Sequence, residues 1–368
     1  MKIALVTIHK VTNYGAVLQA YATKVALSKH GEVSIIDYQN RHLAQHMDLV
    51  RFELSVHGIK MLAHDLLNLP NRYKLLLRFR KFISSNMSLT NEFKSSELLE
   101  GKADNFDIYV CGSDQIWNPG VVSAIRKLDP IFFLSFVKSD SKKFSFASSI
   151  GHHQYSEDEK KEVRKLLKDF SMISVREKDG QIKLQEILPE KDVYHVVDPT
   201  LLLSKKEWYD SFNIKEEEPN ENYILVYSVP RTTLIKKAIE FFAKKLDMKI
   251  VAIDRMLLPI TKIDMHVRDA GPNEFIHLYA NASFVITDSF HGTCFAVNFE
   301  KPFACISANE KANRQESLLE LLGLRERIMY KENDFNTLPS LVDYVSVTRK
   351  LEIIRNASLQ YIAAAVDK

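Results

Sequence analysis

A short apolar, β-branched run that empties into a capped turn and then an apolar helix constrains this chain more than any other feature. Phe284-Val285-Ile286-Thr287 has strand composition, Asp288-Ser289-Phe290-His291-Gly292 follows it, and residues 290–299 carry helical periodicity. Ser289 is the natural N-cap, so Phe290, His291 and Gly292 fall in the first helical turn. The free N–H groups and positive dipole end of a helix suit a phosphate or carboxylate there, with His291 beside it able to move protons. A lone histidine packs or caps just as readily. Position at the carboxyl end of a strand, where ligands of open α/β sheets gather, favours the anion site.

The same strand-then-helix alternation runs along the chain. Strands are predicted at 2–8, up to Ile35-Ile36-Asp37, and at 106–111, 143–147, 171–175 and 193–197, with helices at 15–30, 156–170 and 177–188. The acidic stretch 215–222 has linker composition, and beyond it the alternation restarts. Strands then fall at 223–228, 249–253, 284–287 and 302–306, and helices at 231–246, 272–281, 290–299 and 314–323. The expectation is an α/β protein of two Rossmann-like domains, 1–214 and 215–368, facing each other across a cleft. A terminal helix at 349–366 is expected to pack back on the first domain.

Of the 368 residues, 46% are hydrophobic and 26% charged, which suits a globular enzyme, and a net charge of +3 gives no reason to expect a nucleic-acid partner. The apolar N-terminal stretch is too short for a signal peptide and nothing approaches a membrane span, so a cytoplasmic location is expected. The three cysteines, Cys111, Cys294 and Cys305, are odd in number and lie in apolar segments, as reduced buried thiols do.

Other strand ends offer further candidates. Asn13 and Gly15 follow the first strand and let backbone approach a ligand, or form an ordinary βα turn. Gly112, Ser113, Asp114 and Trp117 follow another, a polar cluster with an indole of the kind that binds sugars, or a turn capped by Asp114. Ser149 repeats the arrangement more weakly. Arg176 stands at a strand end where a guanidinium matches a carboxylate or phosphate, although a single arginine also pairs with a surface acid such as Glu177. Arg314 opens a helix and offers a second positive charge, or a solvated one.

Residues 57–86 carry Lys60, Arg72, Lys74, Arg78, Arg80 and Lys81 against the lone acid Asp65, interleaved with leucine and phenylalanine. Such a segment either lies on an anionic membrane or packs on the core with a basic face in water. No metal site is expected: His42 and His46 have helical spacing but no further ligand. No G-x-G-x-x-G, Walker or nucleophile-elbow sequence occurs.

Taken together, Asn13-Tyr14-Gly15-Ala16, Gly112-Ser113-Asp114-Gln115-Ile116-Trp117-Asn118, Ser148-Ser149-Ile150-Gly151, Ser174-Val175-Arg176-Glu177, Asp198-Pro199-Thr200, Gly271-Pro272-Asn273-Glu274-Phe275 and Ser289-Phe290-His291-Gly292 resemble the polysaccharide pyruvyl transferase family. The resemblance implies a GT-B-like fold and transfer of a pyruvyl group from phosphoenolpyruvate to sugar hydroxyls, forming a pyruvate ketal in a cell-surface polysaccharide such as a capsule or exopolysaccharide. It implies no cofactor, phosphoenolpyruvate being the donor substrate, and a sugar or lipid-linked oligosaccharide acceptor. On its own residues, the basic segment 57–86 leaves peripheral contact at the inner membrane face as the membrane alternative. Arg176 and His291 align with donor-binding, catalytic positions, joined by Ser289, Phe290, Gly292 and Arg314 at the donor. Asn13, Gly15, Gly112, Ser113, Asp114, Trp117 and Ser149 fall on the acceptor or cleft side. Some members have Arg-Leu-His where this chain has Ser289-Phe290-His291, so a donor-binding arginine is absent there and Arg314 is the candidate to replace it. A GT-B glycosyltransferase with a nucleotide-sugar donor, or a non-catalytic glycan-binding protein, shares the same fold.

Overall fold

Parallel pairing of the strands sets the architecture. A computed structural model describes residues 1–51, 55–138, 141–215, 222–307 and 313–367. The chain forms two compact units, Met1–Asp48 with Ile83–Leu202 and Ile353–Lys368, and Leu49–Phe82 with Leu203–Glu352.

The first unit holds strands β1 (Lys2–Val6), β2 (Glu32–Tyr38), β3 (Leu89–Phe93), β4 (Ile108–Cys111) and β5 (Lys142–Ser145) in a parallel sheet of order β3-β2-β1-β4-β5. Strands β6 (Ile173–Val175) and β7 (Val193–His195) form a separate parallel pair. Strand β4 is buried throughout, as a strand covered on both faces must be, which is why it reads as an unbroken apolar run. Edge strand β3 is half polar and escapes a reading based on apolar runs. The order reverses between β1 and β4, which places Gly112, Ser113 and Asp114 at a switch point.

The second unit holds β8 (Tyr223–Tyr227), β9 (Lys249–Ile253), β10 (Met265–Val267), β11 (Phe284–Thr287), β12 (Phe303–Ile306) and β13 (Ile328–Met329), all parallel, in the order β10-β9-β8-β11-β12-β13. Ile224, Val226, Ile286, Ala304 and Ile306 of the sheet pack on Ile235, Ile239 and Phe242 of the helix Thr233–Leu246. Here the reversal lies between β8 and β11, so the turn after β11 opens at the second switch point.

The units meet the chain at different places from a single cut after residue 214. The helix Lys205–Ser211 belongs with the second unit, because Trp208 is fully buried edge-on to Phe295, 5.3 Å between ring centres, and Lys205 pairs with Glu300 at 3.2 Å. The segment Leu49–Phe82 joins the same unit: Arg78 pairs with Asp269 at 3.1 Å and Glu274 at 3.2 Å, and Phe82 stacks on Phe212. Most of the stretch read as a linker, 216–221, lies outside the described residues. In the terminal helix Tyr344–Asp367, Arg355 donates to the Leu201 carbonyl at 2.6 Å and Tyr361 to that of Ser145 at 2.9 Å, both in the first unit.

Candidate functional site

The turn after β11 is built by its own hydroxyl groups. Ser289, in extended conformation, caps the helix Phe290–Asn298, its Oγ accepting from the Gly292 N–H at 3.3 Å. Thr287 Oγ1 donates to the Tyr227 carbonyl at 2.7 Å and accepts from the Ser289 N–H at 3.1 Å, stapling the turn to the end of β8. Gly292 is required by proximity: a Cβ there would stand 2.3 Å from Thr287 Oγ1 and 2.7 Å from the Tyr279 hydroxyl. The helix start is therefore drawn tightly against the strand ends.

Asp288 was not among the sequence-derived site residues, yet it organises this turn. Its carboxylate accepts from the Ser228 hydroxyl at 2.6 Å and the Val229 N–H at 2.8 Å, bridging the switch point from β11 to the turn after β8. Its backbone carbonyl accepts from Gln315 at 3.0 Å. Burial pushes the carboxyl up to about 6, against the opposite pull of the hydrogen bonds from Ser228 and Val229. The available signal was an acidic residue immediately before the cap, at the end of an apolar strand.

His291 is buried in the first helical turn, its ring edge-on to that of Phe290 at 5.4 Å. Arg314, from the helix Asn313–Leu322, brings its guanidinium over the Phe290 ring, 5.5 Å from the centre. The structure thus gathers Ser289, Phe290, His291, Gly292 and Arg314 at one turn of the second unit, with Asp288 immediately before the cap.

In the first unit Ser113, Asp114, Ser149 and Arg176 are brought together around the arginine. The Arg176 side chain is fully buried and donates to Asp198 at 2.8 Å, Asp114 at 3.1 Å, Glu177 at 3.2 Å and the Ser113 hydroxyl at 3.3 Å. Burial opposes its charge, but Asp198, Glu177 and Asp114 together outweigh that and raise its pKa. Ser149 donates to Glu177 at 2.5 Å, which closes the network. Arg176 therefore acts here as the hub that orients Asp114, whose carboxylate keeps partial exposure at 13%.

Four other expected residues have structural duties. Trp117 is fully buried, donates to the Phe132 carbonyl at 3.1 Å and stacks on Phe133, so its face is not offered to a sugar. Gly15 lies buried within the helix Tyr14–Leu27, with Asn13 capping that helix by accepting from Ala16 at 3.2 Å. Gly112 allows β4 to approach β1, since a Cβ there would meet Leu5 at 2.9 Å and Thr7 at 3.0 Å. Among the described residues no group of three or more His, Cys, Asp and Glu side chains could hold a metal ion.

Two Rossmann-like parallel sheets in one chain define a GT-B-like α/β protein, and solved structures of that fold align along nearly the whole chain. A putative UDP-N-acetylglucosamine 2-epimerase from Listeria monocytogenes aligns with a TM-score of 0.55 at 10% identity, over 100% of this chain and 95% of the other. The UDP-N-acetylglucosamine 2-epimerase of Rickettsia bellii gives 0.50 at 13% identity, over 100% and 97%. The UDP-GlcNAc 2-epimerase of Methanocaldococcus jannaschii in complex with UDP-GlcNAc and UDP gives 0.50 at 14%, over 97% and 93%. At such identities the likeness concerns the fold alone. The family model of polysaccharide pyruvyl transferase matches residues 13–310, and the chain belongs to that family. Among curated proteins, no sequence matches this one.

Proposed function

We propose that this protein transfers a pyruvyl group from phosphoenolpyruvate to two hydroxyls of a sugar, forming a pyruvate ketal in a cell-surface polysaccharide. The observation that carries the reading is the Ser289-capped turn, where a helix start, an imidazole and the Arg314 guanidinium share one switch point in a chain of this family. The donor is a small dianion or trianion, and these are the groups that stabilise such charge. Arg314 supplies the cation that Ser289 does not.

In the proposed reaction a proton adds to the donor's methylene carbon while the first sugar hydroxyl bonds to the adjacent carbon. The C–O bond to phosphate then breaks and the second hydroxyl bonds to the same carbon. One hydroxyl proton ends on the methyl group and the other on the released phosphate. His291 moves protons at the donor, and the N–H groups at the helix start with Arg314 hold the carboxylate or phosphate oxygens. In the first unit Asp114, oriented by Arg176, offers an acceptor to a sugar hydroxyl. The donor belongs to the cytoplasm, and the reading places the reaction there.

The test is incubation with phosphoenolpyruvate and a glycan acceptor, following phosphate release and a mass gain of the acceptor. Release of a nucleoside diphosphate from a nucleotide sugar, with phosphoenolpyruvate untouched, would show a glycosyltransferase instead. Glycan binding without any product, indifferent to loss of His291, would show a binding protein.

A further inference from the structure

Large apolar side chains that remain exposed are concentrated on the helices Val56–Leu67 and Leu69–Asn86 of the second unit. Ile59, Leu66, Leu67, Leu69, Tyr73 and Leu77 all lie open to water, Leu67 with 71% of its surface and Ile59 with 62%. The opposite face of the helix Leu69–Asn86 is accounted for, since Leu75, Leu76, Phe79 and Phe82 are buried. Apolar exposure repeated at helical spacing, as at Leu69, Tyr73 and Leu77, marks an interaction surface.

The exposed charge that the two helices themselves carry has one sign, while Asp269 and Glu274 pair with Arg78. Lys60 and Lys74 are exposed within the stripe, and Arg80 and Lys81 follow. Asp65 is the one acid between residues 55 and 86, and it is fully buried, held by Arg51 at 2.7 Å and Arg72 at 3.6 Å. Burial alone would raise its pKa, but the Arg51 hydrogen bonds and the two arginine charges bring it down to about 2, so its charge is neutralised inside the unit. A second copy of this chain meeting the same face would set lysines against lysines. An anionic surface has no such conflict. No helix among the described residues is long and apolar enough to cross a membrane, so the contact is one that lies on the bilayer.

We infer that these two helices dock the second unit on an anionic lipid surface, with Leu66, Leu67, Leu69 and Tyr73 entering the headgroup layer and Lys60 and Lys74 meeting lipid phosphates. The inference stands apart from the transferase reading, because its test reads binding and not turnover. The full chain is sedimented with vesicles of mixed phosphatidylcholine and phosphatidylglycerol, and with phosphatidylcholine alone, at low and high salt.

The wild-type protein binds the mixed vesicles, releases them at high salt and ignores the neutral ones. Lys60→Gln with Lys74→Gln lowers partitioning about twenty-five-fold, at about fivefold per charge. Leu66→Ser with Leu67→Ser also lowers it while leaving the charge intact. Both doubles change exposed positions and keep the wild-type circular dichroism and denaturant midpoint. Binding to neither vesicle, or equally to both, overturns the inference. So does a dimer in solution that the leucine double converts to monomer.

Discussion

The guanidinium of Arg314 stands over the ring of Phe290, 5.5 Å from its centre, so a cation from one helix is fixed against the residue that precedes His291 in another. Arg314 thereby contributes positive charge to the Ser289 turn without belonging to it. Replacing Arg314 by Ala is expected to lower kcat/KM for phosphoenolpyruvate about tenfold to hundredfold, the worth of about 1.5–3 kcal/mol for a hydrogen bond to a charged group. Most of the loss should appear in KM, and Arg314→Lys should recover part. An unchanged KM in Arg314→Ala would remove the residue from donor binding.

His291→Asn should lower kcat by about two to four orders of magnitude, the usual range for general acid–base help. Donor affinity, read by equilibrium titration with phosphoenolpyruvate, should change much less. Turnover at the wild-type rate would exclude the imidazole from proton transfer.

Asp288 links stability to pH. Its carboxyl is raised from 3.8 to about 6 in the fold, so between those values the folded chain keeps a proton that the unfolded chain has lost. Stability from this group therefore declines as pH rises through that window and is level above it. About two pKa units correspond to about 3 kcal/mol. Asp288→Asn keeps an acceptor for the Val229 N–H and a donor toward Ser228, and it should abolish this component. Denaturant midpoints of both proteins near the two ends of the window check the sign: their difference should grow in favour of the variant toward neutral pH.

Arg176→Met should destabilise the protein by about 3–5 kcal/mol, the cost of leaving buried carboxylates without their cation. Asp198 is fully buried beside it, so Arg176→Met with Asp198→Asn should recover part of the loss in denaturant unfolding. A midpoint unmoved by Arg176→Met would show that the hub is dispensable.

Gly292→Ala places a methyl group 2.3 Å from Thr287 Oγ1, and overpacking of this kind costs about 1–3 kcal/mol. Activity should fall further than stability, because relief requires the helix start to move away from β8 and β11. Wild-type kcat/KM in this variant would show that the turn tolerates displacement.

Local hydrogen bonding explains what could be read in advance. Strands β9 and β11 and the helix Pro272–Asn281 fall where apolar period and caps place them, and Ser289 caps its helix as its residue type prefers. The short edge strands β3, β10 and β13 were not legible, since an edge needs no continuous apolar run. At the site, His291 and Arg314 were legible as candidates because strand ends and helix starts are local features. Asp288 was visible only as a neighbour of the cap, and its bridge to Ser228 crosses 60 residues of chain.

The sequence by itself determined the alternating α/β elements and the Ser289-capped turn, which depend on residues within a few positions of one another, and the family, which shows in short blocks taken together along the chain. Tertiary structure alone decided that Arg176 is enclosed by Asp114, Glu177 and Asp198, that Trp117 faces the core, and that Leu49–Phe82 joins the second unit. Those outcomes turn on strand order and side-chain packing between distant segments. Charge pairing and burial are satisfied only by the particular neighbours that the folded sheets supply.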